Sequence, residues 1–122
     1  MIHHGPVTVR FLTPRMRMEQ RLGCPVEVGD GWLPLIGEFA DDVAASFPEA
    51  RFIYLRRDIM HSTFRANIRL PNDHHPPESL RDLYRAWRAR ATMICDICGE
   101  INPQDRRGVY PRCRLCRPED PW

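Results

Sequence analysis

The sequence predicts an α+β fold, and three patterns carry that reading. Apolar residues recur at helical spacing in two stretches, 32–43 and 80–91. Two alternating stretches, 51–57 and 64–70, lie between them, and two Cys-x-x-Cys pairs close the chain. The expected architecture is a small antiparallel sheet or hairpin packed by two amphipathic helices, followed by a cysteine-rich module. At 122 residues, 43% of them hydrophobic, the chain has the size of one ordinary domain with a satellite. No apolar run approaches the ~20 residues of a membrane span. The segment Met1-Ile2-His3-His4-Gly5-Pro6 lacks the pattern of a secretory signal. A cytoplasmic protein without a membrane partner is the expectation.

The first alternation, Val7, Val9 and Phe11 against Thr8 and Arg10, predicts a short strand over 7–12 that Thr13-Pro14 closes. Residues 16–21 are polar and lead into Gly23-Cys24-Pro25, so they read as a loop or a single helical turn. Cys24, far from the other cysteines, reads as a partly buried thiol without chemistry. Gly29-Asp30-Gly31-Trp32 opens the first clear helix. Trp32, Leu35, Ile36, Phe39 and Val43 form its apolar stripe, with Asp30 as the expected cap and Phe47-Pro48 as the stop.

Residues 51–57 place Phe52 and Tyr54 on one side and Ile53 and Leu55 on the other, which predicts a strand covered on both faces. In 64–70, Phe64, Ala66, Ile68 and Leu70 alternate with Arg65, Asn67 and Arg69. That strand buries one face and offers the other to water or a ligand. Residues 58–62 are the hairpin connection. After His74-His75-Pro76-Pro77, Ser79 and Asp82 have the spacing of a capping box, and Leu80, Leu83, Tyr84, Trp87 and Ala91 form the second helical stripe.

The helix runs into Cys95-Asp96-Ile97-Cys98, fourteen intervening residues, and Cys113-Arg114-Leu115-Cys116. Each Cys-x-x-Cys knuckle turns two thiolates toward one point, and two knuckles supply the four soft ligands of a tetrahedral ion. Zinc is the expected ion, in a four-cysteine zinc ribbon; an iron site or two disulfides are the competing readings. Gly99, Asn102-Pro103 and Gly108 supply the turns. Four thiolates leave no open coordination position, so the Zn2+ would be structural, supplying folding free energy on the order of 10 kcal/mol to a module with little core of its own. The expected division is an α+β domain over 1–91 and a zinc-ribbon module over 92–122.

All 18 basic residues are arginine, and charge is segregated along the chain. Residues 22–50 carry six acids and no base, whereas residues 51–117 carry fourteen arginines against seven acids. Arg81, Arg85 and Arg88 fall at i, i+4 and i+7 on the second helix, and Arg106, Arg107, Arg112 and Arg114 decorate the cysteine module. These arginines are candidate contacts for an anionic partner. Glu38, Asp41 and Asp42 on the first helix are candidate contacts of opposite sign. Codon usage and ordinary solvated faces are the bland reading of both groups.

No catalytic constellation accompanies the cysteines. Paired knuckles frame the active site of HNH nucleases, but no histidine lies between Cys98 and Cys113 to activate water. His61 and the pair His74-His75 stand apart from any partner motif, and Trp122 ends an acidic tail as either an anchor or a loose end. The chain reads as non-enzymatic.

The order Cys24, Gly29-Asp30-Gly31-Trp32, helix, strand pair, helix and Cys95-Asp96-Ile97-Cys98-Gly99 resembles a loose group of small phage- and prophage-type proteins without an assigned activity. In that group a Gly-Trp helix start precedes a C-terminal zinc ribbon, often ending in Cys-x-x-His where this chain has Cys113-x-x-Cys116. The resemblance spans roughly residues 24–116 and implies a mobile-element setting. Small accessory proteins there often block a host machine. The expected function is therefore a binding protein that docks on a host protein or nucleoprotein or defence complex, as an anti-CRISPR-like inhibitor would. The alternative is a regulator that binds nucleic acid directly through the arginines.

Overall fold

The computed structural model describes residues 12–71, 75–101 and 116. Helix α1 (Pro14–Leu22) leads to a two-residue strand β1 (Val26–Glu27), a 3-10 turn (Asp30–Trp32) and helix α2 (Leu33–Ser46). Strands β2 (Arg51–Asp58) and β3 (Thr63–Arg69) follow as a hairpin, then helix α3 (Glu78–Ala91). The fold is α+β, as expected, but among the described residues it has three α-helices and a mixed sheet of order β1-β2-β3. Among the described residues no helix is long and apolar enough to cross a membrane. The strand expected over 7–12 falls almost wholly outside the described residues.

Helix α1 replaces the loop or single helical turn expected at 16–21 with a nine-residue helix. Thr13-Pro14 starts this helix: Thr13 is extended and its Oγ1 accepts from the Met16 N–H at 3.1 Å, while Pro14 occupies the first turn, where no N–H is needed. Gly23, at φ +73°, ends the helix by donating to the Glu19 carbonyl at 2.8 Å. No residue of α1 is fully buried, so apolar spacing gives little sign of it. Polar side chains hold it instead. Arg15 donates to the Val26 carbonyl (2.6 Å) and to Asp30 (2.7 Å), the Glu19 carboxylate accepts from the Val26 N–H (2.9 Å), and Arg21 pairs with Asp41. Asp30 thus answers Arg15 and makes no side-chain cap for the following turn, another departure from expectation.

β1 runs parallel to β2, with Val26 opposite Leu55 and Glu27 opposite Arg56, so the sheet is not purely antiparallel. β2 and β3 pair antiparallel, and the register slips between Phe52 and Tyr54. This bulge leaves Ile53 without a cross-strand partner and changes the parity of the strand. Phe52 and Leu55 therefore both face the core while Ile53 is 41% exposed, and β2 is covered on one face rather than two. β3 matches its alternation: Phe64, Ala66 and Ile68 pack inward, and Arg65 and Arg69 are exposed.

The core lies between this sheet face and helices α2 and α3. Phe39 is its hub, with ring centroids 5.3 Å from Phe64, 5.9 Å from Phe52, 6.1 Å from Tyr84 and 6.4 Å from Trp87. The hub draws both strands and α3 against α2. The expected stripes of both helices are the buried ones. The capping box is not formed: Pro77 takes the N-cap without a side-chain bond, and Asp82 pairs with Arg85 at 3.2 Å.

Asp58, 8% exposed, fastens the hairpin turn to α3. Its carboxylate accepts from the Met60 N–H (3.1 Å), meets His61 Nδ1 (2.9 Å) and pairs with Arg88. Arg88 Nε donates to the Phe64 carbonyl at 2.9 Å, and Thr63 Oγ1 donates to the Arg88 carbonyl at 2.7 Å. Burial pushes the Asp58 carboxyl up, but the His61 hydrogen bond and the charges of His61 and Arg88 outweigh it and hold it below the usual carboxylate range. A group with a lowered folded pKa stabilises fully above its unfolded value, near 3.9, and loses that contribution as pH falls through the folded value. Asp58→Asn is therefore expected to cost about 2 kcal/mol at pH 7. The deficit against wild type should shrink below about pH 4, in urea melts run at both pH values.

Candidate metal centre

The first knuckle is built by a tight turn after α3. Ile94 bridges Ile101 antiparallel, Cys95 N–H donates to the Glu100 carbonyl at 2.8 Å, and Gly99 N–H donates to the Cys95 carbonyl at 3.0 Å. Gly99 sits at φ +84°, a conformation that a side chain would strain. Its place directly after Cys98 is thus part of how the turn closes. Cys116, eighteen residues on from Cys98, returns to the same spot. The Sγ atoms of Cys95, Cys98 and Cys116 all lie within 4.8 Å of one another, with Cys95 buried, Cys98 exposed and Cys116 between.

A tetrahedral thiolate site with metal–sulfur bonds of ~2.3 Å has sulfur–sulfur edges of ~3.8 Å. Three sulfurs already within 4.8 Å need to close by about an ångström to reach that geometry. The cluster can hold a metal ion, and its donors come from both knuckles. Cys113, the fourth expected ligand, lies outside the described residues.

The knuckle rests on the Gly-Trp segment. Gly31 N–H donates to the Asp96 carbonyl at 3.0 Å, and Trp32 Nε1 donates to the Ile94 carbonyl at 2.9 Å. A Cβ on Gly31 would lie 2.2 Å from the Cys95 carbonyl oxygen, and one on Gly29 would lie 1.9 Å from that of Asp96. Backbone meets backbone here with no room for a side chain. Asp96 is fully buried and its carboxylate faces Arg57 at 3.3 Å, which ties the knuckle to β2 as well. Spacing along the chain assigns Gly29 and Gly31 to a helix start and passes over Asp96. The available signal is the Gly-x-Gly spacing beside a tryptophan, which fits a close backbone approach as well as it fits a turn.

The remaining candidates divide. Arg81 and Arg85 are exposed on α3, but Arg88 is only 23% exposed and is engaged with Asp58 and Phe64. On α2, Glu38 is exposed, Asp41 pairs with Arg21, and Asp42 accepts from Trp87 Nε1 at 2.8 Å. His61 caps the hairpin turn through Asp58, and His75 is exposed. Arg106, Arg107, Arg112, Arg114, His74 and Trp122 lie outside the described residues. Cys24 is buried at 7% exposure, more deeply than expected, and burial together with Glu19 pushes its thiol pKa up. It stays a protonated, unreactive thiol at neutral pH.

No protein-family model, curated protein or solved structure matches the chain.

Proposed function

We propose that the protein is a non-enzymatic binding module, folded around one structural Zn2+ held by Cys95, Cys98, Cys113 and Cys116, whose ligand is nucleic acid, alone or within a host nucleoprotein complex. The gathering of Cys116 with Cys95 and Cys98, all three sulfurs within 4.8 Å of one another, supports the metal. A closed four-thiolate site offers no open position for water or substrate.

The observation that carries the ligand is how the arginines are partnered. Arg15, Arg21, Arg57, Arg85 and Arg88 each have an aspartate: Asp30, Asp41, Asp96, Asp82 and Asp58 in turn. Those pairs hold elements together or neutralise one another locally. Arg51, Arg56, Arg65, Arg69 and Arg81 are exposed and have no acidic partner among the described residues. The same holds for Arg17 on α1 and for Arg90 at the end of α3, the latter lying over the Trp87 ring. A cationic surplus left on the surface favours a polyanion. Glu38, Asp41 and Asp42 are correspondingly weaker as the partner-binding surface, because Asp41 and Asp42 are engaged within the fold.

Zinc-loaded protein titrated with a labelled oligonucleotide should bind with an affinity that falls steeply as salt rises, linearly on logarithmic axes. Absence of binding, or a flat salt response, would remove nucleic acid as the ligand. Host proteins retained from extract after nuclease treatment would then favour an anti-CRISPR-like protein-docking inhibitor.

A further inference from the structure

The β2–β3 register places four of the unpartnered arginines on one face of the sheet. Arg51 is directly opposite Arg69, Tyr54 opposite Asn67, and Arg56 opposite Arg65. Cross-strand partners project to the same side, and the bulge at Ile53 keeps Arg51 in phase with Tyr54 and Arg56. This is the side away from the core, since Phe52, Leu55, Phe64, Ala66 and Ile68 face inward. The outer face therefore carries two like-charge arginine pairs, about 13 Å apart along the strands, with a tyrosine and an asparagine between them.

Like charges directly opposite one another in a sheet are destabilising. Among the described residues two acids are in register with this face: Glu27, opposite Arg56 on the short edge strand, and Asp58, opposite Thr63 at the hairpin end, where it is buried and engaged by His61 and Arg88. That leaves Glu27 as the one available carboxylate against four guanidinium groups, and the face stays cationic. The Arg56 guanidinium lies over the Tyr54 ring, 4.5 Å from its centroid, and makes a cation–π platform at the centre. Beside the face, Arg65, Asn67 and Arg69 continue into a groove of about 590 Å³ that Arg81 and Tyr84 close on the α3 side.

We infer that this sheet face binds single-stranded nucleic acid, the arginine pairs holding phosphates and the Arg56–Tyr54 platform stacking an unpaired base. The inference rests on the nucleic-acid reading above and deepens it by naming the surface and the strand state. Phosphates alone would satisfy the arginines in either strand state. The aromatic platform between them is usable only by a base that is free to leave a stack. The same face assigns the binding to the strands and not to the Arg81–Arg85–Arg88 ridge of α3.

The register supplies a test that separates binding from folding. In the double variant Arg51→Glu, Arg65→Glu each new carboxylate faces an arginine, Arg69 and Arg56 respectively, so stability should be kept or raised. The control is Arg17→Glu, Arg85→Glu, which makes the same change in net charge at exposed helical positions. Binding of a labelled 12-nucleotide oligo(dT) and of a duplex of equal length is measured by anisotropy at fixed salt, with thermal melts alongside.

The expected result has three parts. Wild type prefers the single strand, the face variant loses at least tenfold in affinity and melts no lower than wild type, and the control stays within about threefold. Equal losses in both variants would reduce the effect to net charge and overturn the assignment. So would unchanged binding in the face variant, or a preference for duplex, while leaving the nucleic-acid reading in place. Failure of wild type to bind either oligonucleotide would remove that reading and this site together.

Discussion

Removing the metal is expected to unfold the cysteine module and to destabilise the body it rests on. Structural zinc in small modules supplies folding free energy on the order of 10 kcal/mol, comparable to the whole 5–15 kcal/mol stability of a typical domain. Here the module is joined to the body through buried groups. Cys95 and Asp96 are fully buried, and the Trp32 indole N–H is bonded to the Ile94 carbonyl. With the three cysteines holding an ion, its loss would free Cys116 from Cys95 and Cys98 and leave Cys95 as a buried, uncoordinated thiol. Chelator treatment should therefore release one Zn2+ per chain, lower the melting midpoint by more than ~10 °C, and shift tryptophan emission to the red as Trp32 meets water.

Cys95→Ser should reproduce the chelated state, whereas Cys24→Ser should keep full metal content, because Cys24 lies against α1 and β1 and outside the cluster. The same midpoint before and after verified metal removal would show that the cysteines do not hold the fold.

The parts of this architecture legible in the sequence are those in which apolar spacing decides the structure. The stripes of α2 and α3 and the alternation of β3 each bury one face, and burial is what periodicity encodes. Helix α1 buries no residue fully and is fixed by Arg15, Glu19 and Arg21 reaching other elements, so spacing along the chain could not reveal it. β1 is two residues long and exists only by pairing with β2. The expected Asp30 cap and the Ser79–Asp82 box failed for a shared reason: each element starts earlier than the spacing suggests, with Gly29 and Pro77 at the N-caps, so Asp30 and Ser79 fall inside the first turn. At the candidate sites, the ligand type was written in the Cys-x-x-Cys spacing. The arginine face was half visible as Arg65, Asn67 and Arg69, and its other half, Arg51, Tyr54 and Arg56, was hidden by the bulge at Ile53.

Gly31→Ala is expected to be among the most damaging single changes outside the cysteines, and three glycines together make the case. Gly31 does not have a positive φ, so alanine brings no backbone strain of its own. Replacing a glycine under those conditions ordinarily stabilises by ~0.4–1 kcal/mol through the unfolded chain. Against that gain stands a methyl group 2.2 Å from the Cys95 carbonyl oxygen, 2.5 Å from the Gly99 nitrogen and 2.8 Å from the Cys98 nitrogen. All three are backbone atoms of the turn that carries two of the candidate metal ligands, so relief requires the knuckle to leave its seat or the 3-10 turn to open. The cost is on the order of 3–5 kcal/mol, the range reserved for overpacking and broken buried contacts. The weakened seat should also lower zinc affinity in competition with a chelator. Gly29→Ala meets the Asp96 carbonyl oxygen at 1.9 Å and should behave alike. Gly37 is the counter-case within α2, because its new methyl would meet only the flexible ends of Met18 and Arg21, at 3.4 and 3.7 Å. Gly37→Ala should be neutral or stabilising by up to ~1 kcal/mol. Equal urea midpoints for Gly31→Ala and Gly37→Ala would mean that the knuckle does not dock on the Gly-Trp segment.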